Sequence, residues 1–260
     1  MTPQVDDLQQ RTFENNLLWL ESFGCEIQRR NNLFYVNHPD LADYDAWLIY
    51  GPPSEALSDL KFVLDQPDPV KSSTSIYIDE IAITDAINVT LAKIGFVATS
   101  LNTTVAGAIT PRLEAGDISL ELALALPEDT TRWSALYSEG FNRHGHDASI
   151  DRARWKLSFE NPSLQHWFVR DGAVEIGVCQ TCVGFGVTGI YSFTLKKTER
   201  GLHRFRAALR ALRNRLTQNK NVNVYFERLR RKEARGKPRG SVEFHELRVI
   251  RKIFGYQRLL

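Results

Sequence analysis

Along residues 187–195 apolar and polar positions alternate. Ile190, Ser192 and Thr194 fall on one side of an extended chain, and Tyr191, Phe193 and Leu195 on the other. The period then changes. After a charged turn, Lys196-Lys197-Thr198-Glu199-Arg200-Gly201, the residues Leu202, Phe205, Leu209, Leu212 and Leu216 recur at helical spacing, with Arg204, Arg206, Arg210, Arg213 and Arg215 on the other faces. A strand that feeds a helix through a tight turn leaves backbone N–H groups without partners at the helix start. Such an end attracts anions, phosphate above all.

The same reading predicts the rest of the chain. An amphipathic helix covers residues 6–23 on Leu8, Phe13, Leu17, Leu18 and Leu20, and Gly24 stops it. Strands follow at 32–38 and 46–50, then Pro52-Pro53, a helix at 54–64, a strand at 74–78 and a helix at 83–94 ending in Gly95-Phe96. Residues 97–108 are extended and rich in β-branched side chains. The stretch 110–117, with Pro111 and Gly116, reads as a linker that divides the chain into domains 1–112 and 113–260. Beyond it come a strand at 118–126, a helix from Pro127 to about 141, a polar loop at 142–147 and a helix at 149–159. Strands at 165–170, 173–184 and 187–195 lead into the helix from Leu202. A strand at 221–226, a basic loop and a helix at 242–253 close the chain before Gly255-Tyr256. Trp133, Trp155, Trp167, Phe168 and Phe185 are expected in the core.

With 260 residues, 43% of them hydrophobic, the chain can bury one large core or two small ones. It contains no apolar run of about 18 residues, so no membrane span is expected. The opening segment MTPQVDDLQQ is acidic and polar and lacks the form of a signal peptide. Together with an odd count of three cysteines, this points to a reducing, cytoplasmic setting. Cys179 and Cys182 have the spacing of a redox pair or half a zinc site. They lie inside an apolar run, where residues three apart in a strand face opposite ways, and so read as strand cysteines; no metal site is expected.

The net charge of +2 conceals an asymmetry: from Lys196 onward Lys and Arg outnumber Glu about four to one. Solvated helix faces account for part of this. The density in residues 228–239 also suits an anionic partner, either a nucleotide or an RNA backbone.

The turn and helix start, Arg200-Gly201-Leu202-His203-Arg204-Phe205, resemble a motif of the GNAT superfamily of acyl-CoA-dependent N-acetyltransferases. There the fourth strand ends and the next helix begins with Arg/Gln-x-x-Gly-x-Gly/Ala, whose amides hold the pyrophosphate of coenzyme A. Arg200 and the glycine after it match; His203 and Phe205 stand where the family has small residues. The element order of the C-terminal half is also that of a GNAT domain. Residues 91–96 are similar to the closing helix and Gly-Phe strand entry of a second, abbreviated copy without a phosphate loop. The resemblance therefore implies an α+β fold, a mixed sheet with flanking helices, in two GNAT-like halves. The ending at residues 249–256 is similar to the family's Tyr-x-x-x-Gly-Phe, with Arg251 in the place of the tyrosine that often protonates the departing thiolate.

By the same resemblance, Leu195, Lys196, Arg200, Gly201, Leu202, His203, Arg204 and Phe205 would line an acetyl-CoA (or other acyl-CoA) site, with a backbone N–H near Leu195 polarising the thioester carbonyl. The implied activity is acyl transfer to an amine, from a small molecule or a peptide, in a cleft between the halves. A base to deprotonate the amine would come from Glu175 or Glu227 on strands, or from His144 or His146 in the loop that borders the acceptor site in this family. Two alternatives stay open. One keeps the fold but takes an aminoacyl-tRNA as donor, through the basic C-terminal half; the other is a non-catalytic GNAT-like protein that binds nucleic acid or a protein.

Overall fold

The computed structural model describes residues 3–39, 41–65, 75–110, 118–218, 222–231 and 247–258. The chain opens with α1 (Pro3–Glu21), β1 (Glu26–Arg30), β2 (Leu33–His38) and β3 (Leu41–Ile49). Next come α2 (Pro53–Leu64), β4 (Ser75–Asp79), α3 (Asp85–Lys93) and β5 (Phe96–Ile109). The middle of the chain forms β6 (Glu121–Leu124), α4 (Thr130–Phe141), α5 (His146–Glu160), β7 (Leu164–Asp171), β8 (Val174–Gly184) and β9 (Val187–Leu195). It ends in α6 (Leu202–Thr217), β10 (Val222–Arg231) and β11 (Arg248–Arg258). The fold class is α+β, with mixed strand pairing and flanking helices.

Two compact units form. Unit I holds β1 to β4, β5 as far as Val105, α2, α3 and β11 from Val249. Unit II holds α1, β5 from Ala106, β6 to β9, α4 to α6 and β10 as far as Phe226. Relative to a division of the chain at 112/113, the end of β5 from Ala106 and the end of β10 from Glu227 change sides, as do α1 and β11, the last two for clear physical reasons. The Asn15 amide on α1 donates to the carbonyls of Cys182 (3.2 Å), Gly184 (3.1 Å) and Val187 (3.4 Å), which fixes α1 to β8 and β9. At the other end, β11 pairs antiparallel with β4, from Ile253↔Asp79 to Tyr256↔Ile76.

In unit I the strand order is β1-β2-β3-β4-β11-β5. β3 and β4 are parallel, which requires the crossover that α2 supplies. Pro53 starts that helix, where its missing N–H leaves no hydrogen bond unmade. Thr84 caps α3 by accepting from the Ile87 N–H at 3.3 Å. Ile49, Ile76 and Ile78 from the strands bury against Leu60 and Val63 of α2 and Ile87 and Leu91 of α3.

In unit II the order is β10-β9-β8-β7-β6. β6 to β9 are antiparallel neighbours, and β9 runs parallel to β10, with α6 as the crossover. Trp133, Leu136 and Trp155 of α4 and α5 pack with Phe168 and Val178 of the strands. Elsewhere in the unit, Leu209 and Leu212 of α6 pack with Trp167, Cys179, Ile190 and Val224. α4 comes close to β9 because Gly140 has no side chain: a Cβ there would lie 2.3 Å from Thr194 Cγ2.

One irregularity shapes the end of β9. Gln180 pairs with Tyr191 and Val178 with Thr194, so one residue of β8 faces two of β9, and Ser192 takes a φ of 52°. This bulge bends the strand and re-aims its last residues. The described pairing of β9 with β10 covers Thr188, Gly189 and Ile190, upstream of that bend.

Several sequence expectations change. The helix expected over 242–253 is strand β11 where it is described: Ile253 and Tyr256 are buried, and β-branched and aromatic residues suit an interior strand. Residues 242–246 lie outside the described residues, as do 111–117 of the expected linker and 232–239 of the basic segment. The strand expected at 118–126 shortens to β6. β1 is an additional strand, whose mostly polar and exposed residues carry no apolar alternation to mark it. Phe185 is not in the core: it occupies the β8–β9 turn with a φ of 54° and is 52% exposed. Among the described residues, no helix is long and apolar enough to cross a membrane.

Candidate functional site

The charged turn after β9 folds into a short 3-10 turn over Lys197–Glu199. Its own carbonyls use most of its amides. The Glu199 N–H donates to Lys196 O at 2.9 Å, Arg200 N–H to Lys197 O at 3.4 Å and Gly201 N–H to Glu199 O at 2.9 Å. The Lys196 N–H donates to Ile176 O at 2.8 Å. Gly201 is the N-cap of α6, and the first intrahelical bond runs from the Phe205 N–H to Gly201 O at 2.9 Å. Helix geometry leaves the amides of Leu202, His203 and Arg204 with no intrahelical acceptor.

Beside this junction lies a pocket of about 370 Å³. Phe193, Thr194 and Leu195 of β9 form one wall, and Arg200, Gly201, Leu202 and Phe205 the other. The Phe193 and Phe205 rings meet edge-on at 5.2 Å. Arg200 is folded back onto the strand: its Nε donates to Leu195 O at 3.1 Å and its Nη2 to Thr194 Oγ1 at 3.5 Å. Arg204 turns away and forms ion pairs with Glu199 and, at 3.1 Å, with Asp171.

A polar cluster stands next to the turn. Asn142 ends α4 in the left-handed conformation (φ 57°), and its Oδ1 accepts from Lys197 Nζ. His144 Nε2 lies 3.2 Å from the same oxygen. An ammonium only donates, so the atom between them is an acceptor and the Nε2 that faces it carries the imidazole proton. In the neutral ring this makes Nδ1 the acceptor nitrogen, on an exposed side chain.

Glu175 is engaged. Arg170 Nη2 donates to it at 2.9 Å and Arg132 Nε lies 3.2 Å away, with the carboxylate largely buried. The side chains of His146 and Glu227 lie outside the described residues. Cys179 and Cys182 are buried and form no disulfide. Burial pushes both thiols up, that of Cys182 to about 12, so neither is a nucleophile near neutral pH.

Two arginines near the end of α6 are engaged within the protein. Arg213 is fully buried and its Nε donates to Thr110 O at 3.0 Å, and Arg215 lies over the Trp167 ring at 4.9 Å.

No family model and no curated protein matches the chain in sequence. Solved structures do match in fold. A GCN5-related N-acetyltransferase from Kribbella flavida superposes with a TM-score of 0.60 at 14% identity, over 95% of this chain and 94% of that one. A second, from Sphaerobacter thermophilus, gives 0.60 at 12% identity over 86% and 79%. A conserved protein of unknown function from Staphylococcus epidermidis gives 0.61 at 11% identity over 92% and 96%. The chain has the GNAT fold.

Of the residues that the GNAT motif singles out, Leu195, Arg200, Gly201, Leu202 and Phe205 line this pocket, joined by Phe193 and Thr194, which the motif does not mark. Lys196, His203 and Arg204 do not line it. Set against acyl-CoA, the residues match one end of it. The apolar walls suit an acyl-pantetheine arm. A diphosphate at the helix start would meet the Phe205 and Leu202 side chains, Arg204 already paired with two carboxylates, and Glu199 close by.

Proposed function

We propose that this protein is an N-acyltransferase that moves an acyl group from an acyl-CoA thioester, acetyl-CoA being the simplest, to the amine of a small molecule or peptide. The observation that carries this reading is the pocket between the bent end of β9 and the start of α6, in a chain with the GNAT fold. When bound, the thioester supplies an activated carbonyl and a thiolate leaving group.

The chain's own residues supply the rest. Phe193 and Leu195 give the donor arm an apolar wall that excludes water. Arg200 braces Leu195 and Thr194 and keeps the strand end and the turn in register. His144 Nδ1 accepts the proton of the attacking amine, while Asn142 and Lys197 hold the ring in the required tautomer. Glu175 is held by Arg132 and Arg170.

The test is release of free thiol from acetyl-CoA in the presence of a panel of amines, followed with the wild type and with His144→Gln. General-base catalysis is typically worth ~10²–10⁴-fold, so the variant should lose at least about a hundredfold in kcat/KM. Thermal stability with acetyl-CoA and, separately, with tRNA distinguishes donors, since a ligand at ~100 times its Kd stabilises by about 2.7 kcal/mol. Stabilisation by tRNA alone would favour the aminoacyl-tRNA donor or a non-catalytic nucleic-acid role.

A further inference from the structure

The pocket at the start of α6 is walled by two aromatic rings and two leucines, and its one lining cation is already hydrogen-bonded to the protein. We infer that this pocket is a seat for the acyl-pantetheine arm and that the nucleotide diphosphate contributes little to binding. The inference rests on the acyltransferase reading and narrows its donor to a pantetheine thioester, with or without a nucleotide attached.

Three observations carry it. First, Phe205 is 39% exposed and Leu202 45% exposed, although both lie on the apolar stripe of α6. Leu209 and Leu212 of the same stripe are buried, so the first turn presents apolar surface to the pocket and not to the core. Second, Phe205 is held against Phe193, which places an aromatic ring at the helix start, where close approach of a diphosphate needs a small residue. Third, both arginines at the helix start are already engaged. Arg204 pairs with Glu199 and Asp171, and Arg200 has its Nε and Nη2 directed at Leu195 O and Thr194 Oγ1. A diphosphate would have to shed water beside four apolar side chains and a carboxylate, with the rest of Arg200 and the first-turn amides of α6 to replace it.

Calorimetry with the full chain tests this, using S-acetyl-pantetheine, acetyl-CoA and adenosine 5′-diphosphate as probes. The wild type should bind the first two within about threefold of each other and the third not measurably. Acetyl-CoA affinity should change less than twofold between 50 and 300 mM salt. Phe205→Ala should tighten acetyl-CoA at least tenfold, confer binding of the adenosine diphosphate, and weaken S-acetyl-pantetheine. If the wild type binds acetyl-CoA more than tenfold tighter than S-acetyl-pantetheine, and the adenosine diphosphate competes, the inference is overturned while the acyltransferase reading stands. If neither thioester binds, both fall together. The wild-type comparison decides the matter even if Phe205→Ala does not fold.

Discussion

Trp19 Nε1 donates to Gln180 Oε1 at 2.7 Å, and this one bond fixes the protonation of a third residue. An indole nitrogen is a donor only, so the Gln180 amide is oriented with its nitrogen towards His166 Nε2, 2.9 Å away. That imidazole nitrogen must therefore accept, and the ring proton sits on Nδ1. Ser158 Oγ lies 2.8 Å from the same Nε2 and 3.0 Å from Trp155 O, so its one proton is shared between two acceptors, and Phe159 stacks on the ring at 3.7 Å. On its other side Trp19 stacks on Tyr191 at 4.3 Å, and the Tyr191 hydroxyl bonds to that of Tyr225, which donates to Asn15 at 2.8 Å. A polar chain thus ties α1 and α5 to four strands of unit II.

The first prediction is a pH dependence of stability. Burial pushes His166 down to about 3, well below the ordinary value of 6.5. The folded chain refuses a proton that the unfolded chain accepts, so this residue's contribution is complete above pH 6.5 and is lost as pH falls towards 3. Unfolding free energy should drop by about 1.4 kcal/mol between pH 7.5 and 5.5 from this group alone. Urea titrations at the two pH values should show that loss in the wild type and little of it in His166→Gln. Equal losses in both proteins would mean that His166 is not the buried neutral group.

The second concerns Arg251 and Asp79 in unit I. Arg251 Nε lies 3.1 Å from Asp79 Oδ2, with side chains only 11% and 3% exposed. Burial pushes the Asp79 carboxyl up, and Arg251 opposes that push. Arg251→Gln leaves the carboxylate buried without its partner and should cost about 3–5 kcal/mol. Asp79→Asn added to it should recover much of the loss, measured by chemical denaturation. A double variant no more stable than Arg251→Gln would show that the ion pair is not the cause.

How legible this was in the sequence can be judged from α6. Its spacing announces a helix after a strand and a turn, and Leu209 and Leu212 are buried as that spacing requires. The same spacing places Leu202 and Phe205 on the buried stripe, and there the first turn overhangs the pocket instead. Arg213 falls on the polar face of the pattern yet is fully buried, because its partner, Thr110, lies 103 residues away. The Trp19–Gln180 bond spans 161 residues, and Gln180 stands in an apolar run where nothing local marks it as a partner. β11 reads as a helix because Val249, Ile250, Ile253 and Phe254 have helical spacing, while their place beside β4 is a property of the tertiary fold. The turn after β9 could be read because its signal, a change of period at Lys196–Gly201, is local.

A third prediction contrasts two glycines. A Cβ at Gly140 would lie 2.3 Å from Thr194 Cγ2 and 2.6 Å from its Oγ1, whereas one at Gly201 meets nothing within 4 Å. Gly140→Ala should therefore force α4 away from β9 and cost about 1–3 kcal/mol. Gly201→Ala should leave stability within about 0.5 kcal/mol of the wild type. Thermal denaturation of both variants checks the pair. A destabilised Gly201→Ala beside a neutral Gly140→Ala would invert the packing described for this junction.

The last prediction concerns the basic segment. Of the α6 arginines, Arg204 is held by two ion pairs and Arg213 is fully buried, so these two offer little to an anionic polymer. Residues 228–239, which carry seven Lys and Arg against one Glu, are the densest basic stretch that an RNA backbone could meet. Each phosphate that the protein no longer neutralises reduces the slope of log affinity against log salt by about 0.7–0.9. Replacing Arg230, Arg231, Lys232 and Arg235 with Gln should then flatten the salt dependence of tRNA binding by up to about three units, with stability changed by less than about 0.5 kcal/mol. Filter binding across a salt series reads the slope directly. A slope near zero in the wild type would remove the polymer as a partner and leave the thioester donor alone among the enzymatic readings.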